Sequence, residues 1–406
     1  MATATFEYKV RDRGGALKTG KLEAETSGQV VAKLKTMGYA PISVQPVNQG
    51  LNREIRLLGR GKVDLKDLAV FTRQFATMIN SGLSLLRALN ILVDQTENKE
   101  LARVLGLVRT ELETGSSLSA GMAKHPKVFP PLMVNMTKAG EVGGFLDEVL
   151  LQIAQNYEAE VRLRGKVKAA MTYPVVVFVM AVVMCAGMLL FIVPVFAGMF
   201  ESLGGAQLPA PTRFLMALSD ALKQYFLVVL ALGVAGTVAW RRYQRSDRVR
   251  SVVDPLKLRL PVFGPLFRKI AMSRFSRNLG TLMRSGVPIL QSLDIVADTT
   301  GNVVLARALR DVQNSVRSGE SLAGPLAHHP VFPPMVVQMM AVGEDTGALD
   351  VMLLKISDFY DQEVEATTEA LTALIEPLMI AFLGAVVGSM IIALYMPIFG
   401  VFDLIE

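Results

Sequence analysis

The sequence predicts a mainly α, polytopic membrane protein. It is expected to hold two repeated cytosolic helical bundles of about six helices each, three transmembrane helices and a small N-terminal α/β domain. Three observations carry that expectation. Three long segments contain no charged residue, a stretch of roughly a hundred residues occurs twice, and the first sixty residues alternate like strands.

Composition sets the class. Of 406 residues, 51% are hydrophobic and only 19% charged, with a mean hydropathy of +0.39. Charged periodic stretches alternate with charge-free ones, a mixture that suits a membrane protein with large aqueous domains. The single cysteine, Cys185, rules out a disulfide framework and a cysteine-based zinc site. The net charge of +6 is modest, and no run of lysines or arginines points to a nucleic-acid partner. The opening MATATFEYKV lacks the apolar core of a signal peptide, so the N-terminal region is expected to stay in the cytosol.

Residues 1–60 read as a small ββαβ cytosolic domain and linker. FEYKV and KLEAET alternate as strands around DRGGALKTG, SGQVVAKLKTMG reads as a short capped helix, and PISVQPV as another strand. A basic, glycine-containing linker follows near residues 48–63. GALKTGKL at 15–22 nearly matches a phosphate-binding loop, but Leu22 stands where a hydroxyl must ligate magnesium, and the segment sits in a hairpin. Nucleotide binding is not expected.

The duplication begins soon after. Residues 71–126 pair with 275–330 with about 22 identities in 56 positions, and 128–174 with 331–377 with about 19 in 47. FTRQFATMINSGLSLLRAL answers FSRNLGTLMRSGVPILQSL, HPKVFPP answers HPVFPP, and AGEVGGFLDEVL answers VGEDTGALDVML. The first bundle is placed at 61–170 and the second at 241–376. In the first copy Asp64 is a suitable N-cap for a helix over about 65–80, with Gly82 just past its end. Helical spacing continues through SLLRALNILV and LARVLGLV to Gly115, and a short helix ends at His125-Pro126. A long helix then runs from about Phe145 to Lys168 and on through Pro174.

The charge-free runs are 169–200, 224–240 and 377–402. At about 1.5 Å per residue the first exceeds the roughly 30 Å hydrocarbon thickness, so part of it lies outside the bilayer or is tilted. They are placed as spans at 171–200, 224–240 and 377–402. Pro174, Pro194, Pro377 and Pro397 fall at equivalent places in the first and third, and proline there favours a kink. Arg162, Arg164, Lys166 and Lys168 lead into the first span, and Arg241, Arg242, Arg245, Arg248 and Arg250 follow the second. The positive-inside rule then leaves 201–223 as a short periplasmic loop and 403–406 as a periplasmic tail. The third span follows Asp358, Asp361, Glu363, Glu365 and Glu369, so its direction rests on parity. No span carries an ionisable side chain in its interior, which argues against a transporter.

Few residues suggest chemistry. His125 and His329 are equivalent, each before a proline, and with His328 form no ligand cluster; structural roles at helix ends suit them. No nucleophile–base–acid set is present, so neither catalysis, a cofactor nor a metal is expected. Gly140, Glu141, Gly144 and Asp147 recur as Gly343, Glu344, Gly347 and Asp350, two carboxylates around a glycine-rich turn before a long helix. They read first as helix N-terminal caps, and otherwise as a partner contact or a weak divalent-cation site. Gly384 and Gly388 form a GxxxG in the third span, and Ala231, Ala235 and Ala239 a small-residue stripe in the second, both suited to close helix packing.

The doubled GE-x-x-G-x-L-D pattern, the FPP turn, the proline-led spans and the three-span layout resemble the type II secretion F domain. The chain is similar, over essentially its whole length, to the PilC/GspF-like inner-membrane platform proteins of type IV pili and type II secretion. It departs from a strict repeat where Val142-Gly143 becomes Asp345-Thr346 and Tyr173 becomes Glu376. The resemblance implies a bacterial inner-membrane protein without catalytic activity, homo-oligomeric and embedded in the lipid bilayer. It would couple a hexameric assembly ATPase, and a retraction ATPase, to insertion and removal of pilin subunits. Pseudopilins would take that place in a secretion system, and other inner-membrane assembly proteins would surround it.

Overall fold

The computed structural model describes residues 4–11, 17–24, 27–46, 62–202, 209–243 and 246–402. The chain divides into two units, Met1–Lys62 and Val63–Glu406. The linker expected near 48–63 lies outside the described residues except for its last two positions, as does the tail 403–406.

In the first unit strands β1 (Ala4–Arg11) and β2 (Leu17–Ala24) precede helix α1 (Ser27–Thr36) and strand β3 (Ala40–Pro46). β1 is central and antiparallel to both neighbours, giving the order β2-β1-β3. Alternation sends Val10 and Ala24 to the face that α1 covers with Val30 and Leu34, and these four form the core. The phosphate-loop look-alike ends in β2, where Gly20 faces Tyr8; a Cβ there would stand 2.5 Å from the Tyr8 hydroxyl. That close approach, not a ligand, accounts for the glycine.

The second unit holds the duplication. The first copy is α2 (Leu65–Asn80), α3 (Leu85–Gln95), α4 (Lys99–Glu113), α5 (Leu118–Ala123), α6 (Pro131–Gly143) and α7 (Leu146–Gly187). Asp64 forms a capping box with Asp67 at the start of α2. Gly82 and Gly115 take φ of +84° and +90°, the left-handed geometry that ends α2 and α4. A π-helical turn, Met188–Ile192, links α7 to α8 (Val193–Ser202). It sits just ahead of Pro194, which has no N–H to offer the Leu190 carbonyl one turn earlier. Next come α9 (Ala210–Tyr243) and α10 (Asp247–Arg259). The second copy is α11 (Gly264–Arg284), α12 (Ile289–Thr299), α13 (Val303–Arg317), α14 (Ala323–Ala327), α15 (Pro334–Asp345) and α16 (Leu349–Phe402). α16 runs unbroken through Pro377 and Pro397.

Among the described residues two helices are long and apolar enough to cross a membrane, Leu146–Phe196 and Leu349–Pro397. The third candidate, α9, is bent by 54° between Val228 and Ala231 and qualifies when its two parts are taken as one span. The segment expected as a short outer loop is helical from Ala210 onward. Its amphipathic side docks on the spans: Leu215 is buried with Val193, Met390 and Leu394. There the Thr212 hydroxyl donates to the Ala393 carbonyl at 2.5 Å, and Ser219 to Leu189 at 2.5 Å.

The two copies share one hydrophobic core. Phe71, Phe75 and Phe129 of the first belong to the same buried cluster as Phe275 and Phe332 of the second. Between copies, Gln152 accepts from the Ser285 hydroxyl at 2.7 Å, and the Asn156 amide reaches Asn278 and Thr281 at 3.3 Å each.

Candidate functional site

The doubled glycine–glutamate turns occupy matching positions at the ends of α6 and α15, and both glutamates bond within the chain. Glu141 reaches back across its bundle to the N-terminus of α5, where its carboxylate accepts from the backbone N–H groups of Leu118 at 2.5 Å and Ser119 at 3.1 Å. Ser117 accepts from Ala120 at 3.2 Å. The free amides of that short helix are thereby matched, and the carboxylate sits at the positive end of its dipole. Glu344 repeats the arrangement on α14, accepting from Leu322 at 2.8 and 2.9 Å and from Ala323 at 3.3 Å. The sequence suggested capping of the long helix that follows; the helix capped is the short one that precedes. At the long helices it is Asp147 and Asp350 that lie in the first turns.

The glycines have steric causes. Gly140 and Gly343 lie where α6 meets α7 and α15 meets α16. A Cβ there would stand 3.0 Å from the Cα of Leu146 and of Leu349 respectively. Gly144 and Gly347 take φ of +77° and +69° and turn the chain into the long helix. At the surface the first turn leaves Val142, 84% exposed, and the second leaves Val342, 51% exposed, with Asp345 beside it.

Below each turn an arginine of the copy's first helix meets a carboxylate of its last. Arg73 grips Glu158 in a two-pronged pair at 2.6 and 2.5 Å, and Arg277 pairs with Asp361 at the equivalent place. The Arg73 hydrogen bond holds Glu158 below the usual carboxylate range, and the same bond raises Arg73. Both partners are just over a third exposed, so the pair contributes under about 1 kcal/mol. Beside them Tyr157 and Tyr360 are equivalent and buried, and burial pushes both hydroxyls up. The pairing of these four charges escaped the sequence reading, which noted Asp361 only as part of the acidic lead into the third span, although a signal was present: arginine recurs in register, as does an acidic residue.

Three of the five acidic residues that lead into the last span are paired across the tertiary structure. Besides Asp361, Glu363 meets Lys269 at 2.7 Å, and Glu365 meets Lys166 of the other copy at 2.5 Å. The entry proline Pro174 and Tyr173 of α7 face Thr372 and Glu376 of α16 across a narrow cleft of about 40 Å³. Gly384 and Gly388 have nothing within 4 Å of where a Cβ would stand, so among the described residues no helix packs on that face. His329 lies 3.8 Å from Asp311, His125 donates its backbone N–H to Met122 at 2.9 Å, and His328 ends α14. Among the described residues no three His, Cys, Asp or Glu side chains converge as a metal site would require.

This geometry is one of mechanical continuity. A capped, close-packed bundle ends in α7, 42 residues long, and its copy in α16, 54 residues long, each passing without interruption from charged to charge-free sequence.

Comparison with known proteins follows the same divisions. The family model described as type II secretion system (T2SS), protein F, matches residues 71–194 and again 275–397. The model for the N-terminal domain of type II secretion system protein F matches residues 1–45. The chain is 44% identical over 405 residues to a type IV pilus assembly protein PilC of Myxococcus xanthus, covering 100% of this chain and 97% of that protein. It is 47% identical over 397 residues to the protein of that name from Thermus thermophilus, covering 97% of each. A type II secretion system protein F of Xanthomonas campestris is 34% identical over 400 residues, covering 97% of this chain and 98% of that protein. With both copies and the N-terminal domain matched, the chain belongs to the type II secretion system protein F family.

Proposed function

We propose that this chain is the inner-membrane platform protein of a type IV pilus assembly machine, coupling cytosolic hexameric ATPases to insertion and removal of pilin subunits at the filament base. One observation carries the choice. Relatives named for pilus assembly match at 44% and 47% over nearly their full length, whereas one named for type II secretion matches at 34%. A platform acting on pseudopilins in secretion is the second reading, since those names occur in the same family.

The supporting physics is transmission. Force delivered to either bundle travels along α7 or α16, because each runs as a continuous helix and loses only the backbone bonds that its internal prolines cannot donate. Because the copies share a core, a push on one moves both. The role asks nothing of acid–base or nucleophilic chemistry, so the chain is read as a non-enzyme. Basic residues before the first span and after α9 support a topology with the N-terminal region and 241–376 in the cytosol and the C-terminus in the periplasm. The exposed surface around Val142 and its turn is the proposed contact for partners, in an assembly of several copies.

Co-purification tests the reading. An assembly ATPase should come down with the detergent-solubilised full chain, and cells lacking the chain should extrude no filaments. Filaments in such cells would overturn it, and pseudopilin-associated secretion defects with normal pili would favour the second reading. For topology, a reporter fused after residue 210 should report periplasm and one near residue 300 cytosol; the reverse pattern would overturn the orientation.

A further inference from the structure

A groove of about 420 Å³ opens between α7 and α11, at the level where the charges of α7 end. Its upper wall is apolar and belongs to the charge-free run: Met171, Val175 and Val176, the last two 58% and 50% exposed. Ile270 of α11 supplies the facing wall. The lower end is basic, formed by Arg164, Lys168 and Arg274.

Those cations are under-compensated. Arg164 and Arg274 share the single carboxylate of Glu160, at 2.7 and 2.6 Å. Lys168 forms no ion pair among the described residues. Arg274 is held below the ordinary arginine value, first by burial and then by the nearby Arg164 and Arg277. An anion seated here would relieve that crowding. The duplicated half lacks the device. Arg164 and Lys168 correspond to Thr367 and Leu371, and Arg274 to Val70. The basic head is therefore not a by-product of the repeat.

We infer that this groove holds one anionic bilayer phospholipid, its phosphate among Arg164, Lys168 and Arg274 and an acyl chain along Met171, Val175 and Val176. Apolar wall and cationic end meet at the height where a lipid changes from chain to headgroup, so both halves of the ligand are matched by one surface. A soluble phosphate would leave the wall unused, and a zwitterionic lipid would offer the cations no net charge. The inference rests on α7 crossing a bilayer but not on which machine the protein serves.

Native mass spectrometry of the full chain in detergent, titrated with phosphatidylglycerol or phosphatidylcholine, tests it. One phosphatidylglycerol should be retained in preference to phosphatidylcholine. R164Q/K168Q should weaken that retention about thirty-fold, and R162Q/K166Q, which removes two charges from the same helix outside the groove, should leave it within about threefold. Equal retention of the two lipids would overturn the inference, as would equal loss in both variants, which means diffuse attraction. A photo-crosslinker at Val176 should yield an adduct of lipid mass; an adduct with a polypeptide would make the groove a protein contact and also overturn it. Thermal unfolding of both double variants, expected within a few degrees of the parent, separates lost lipid from lost fold.

Discussion

Replacing Phe129 by alanine should destabilise the protein by about 3–5 kcal/mol, the largest effect expected from one side chain here. Phe129 is fully buried, 6.2 Å from Phe71, which stacks on Phe75 at 5.6 Å. The chain is built to put it there. The His125 carbonyl accepts from the backbone N–H of Val128 and Phe129, Pro130 precedes α6, and Pro131 opens it. The turn therefore cannot swing to refill the space, and the cavity persists. Phe332 repeats the placement 5.2 Å from Phe275. Thermal or denaturant unfolding in detergent should show the loss, with Phe129→Leu costing less than about 1.5 kcal/mol. A cost below about 1 kcal/mol for alanine would mean that the FPP turn is not held by its aromatic ring.

The second large effect is expected at the turns. Glu141→Ala should cost about 2–3 kcal/mol, because two backbone N–H groups lose a charged acceptor at once; Glu344→Ala should cost a similar amount. Glutamine should recover part of the loss, since one amide oxygen can still accept. This pair of substitutions separates two roles. If the carboxylate serves only α5 and α14, glutamine restores stability and filament assembly in parallel. If the turn also meets a partner, glutamine restores stability while assembly stays impaired, and charge reversal impairs assembly with membrane insertion intact. Wild-type stability of the alanine variants would refute the capping geometry itself.

Much of this molecule was legible beforehand. The capping residue Asp64, the glycines that stop α2 and α4, the doubled register and the position of the charge-free runs are local properties. Each is fixed by residues within one helical turn or by simple repetition. The ββαβ order of the first unit was legible for the same reason, since strand alternation and turn residues are neighbours in sequence. The target of Glu141 was not. Its partners lie 22 and 23 residues upstream, and no periodicity tells a side chain which neighbouring helix end its carboxylate will reach.

Sequence alone therefore determined the elements: two copies of a six-helix bundle, each ending in a long helix that enters a charge-free run. Only the tertiary structure decided that the copies close over a single core, that Asp361, Glu363 and Glu365 before the last span pair with Arg277, Lys269 and Lys166, and that one span entry carries a groove whose cations outnumber their carboxylate while its duplicate does not. The reason is range. Helix period and capping act over a few residues along the chain. Burial and charge pairing act between surfaces whose meeting depends on how whole helices cross.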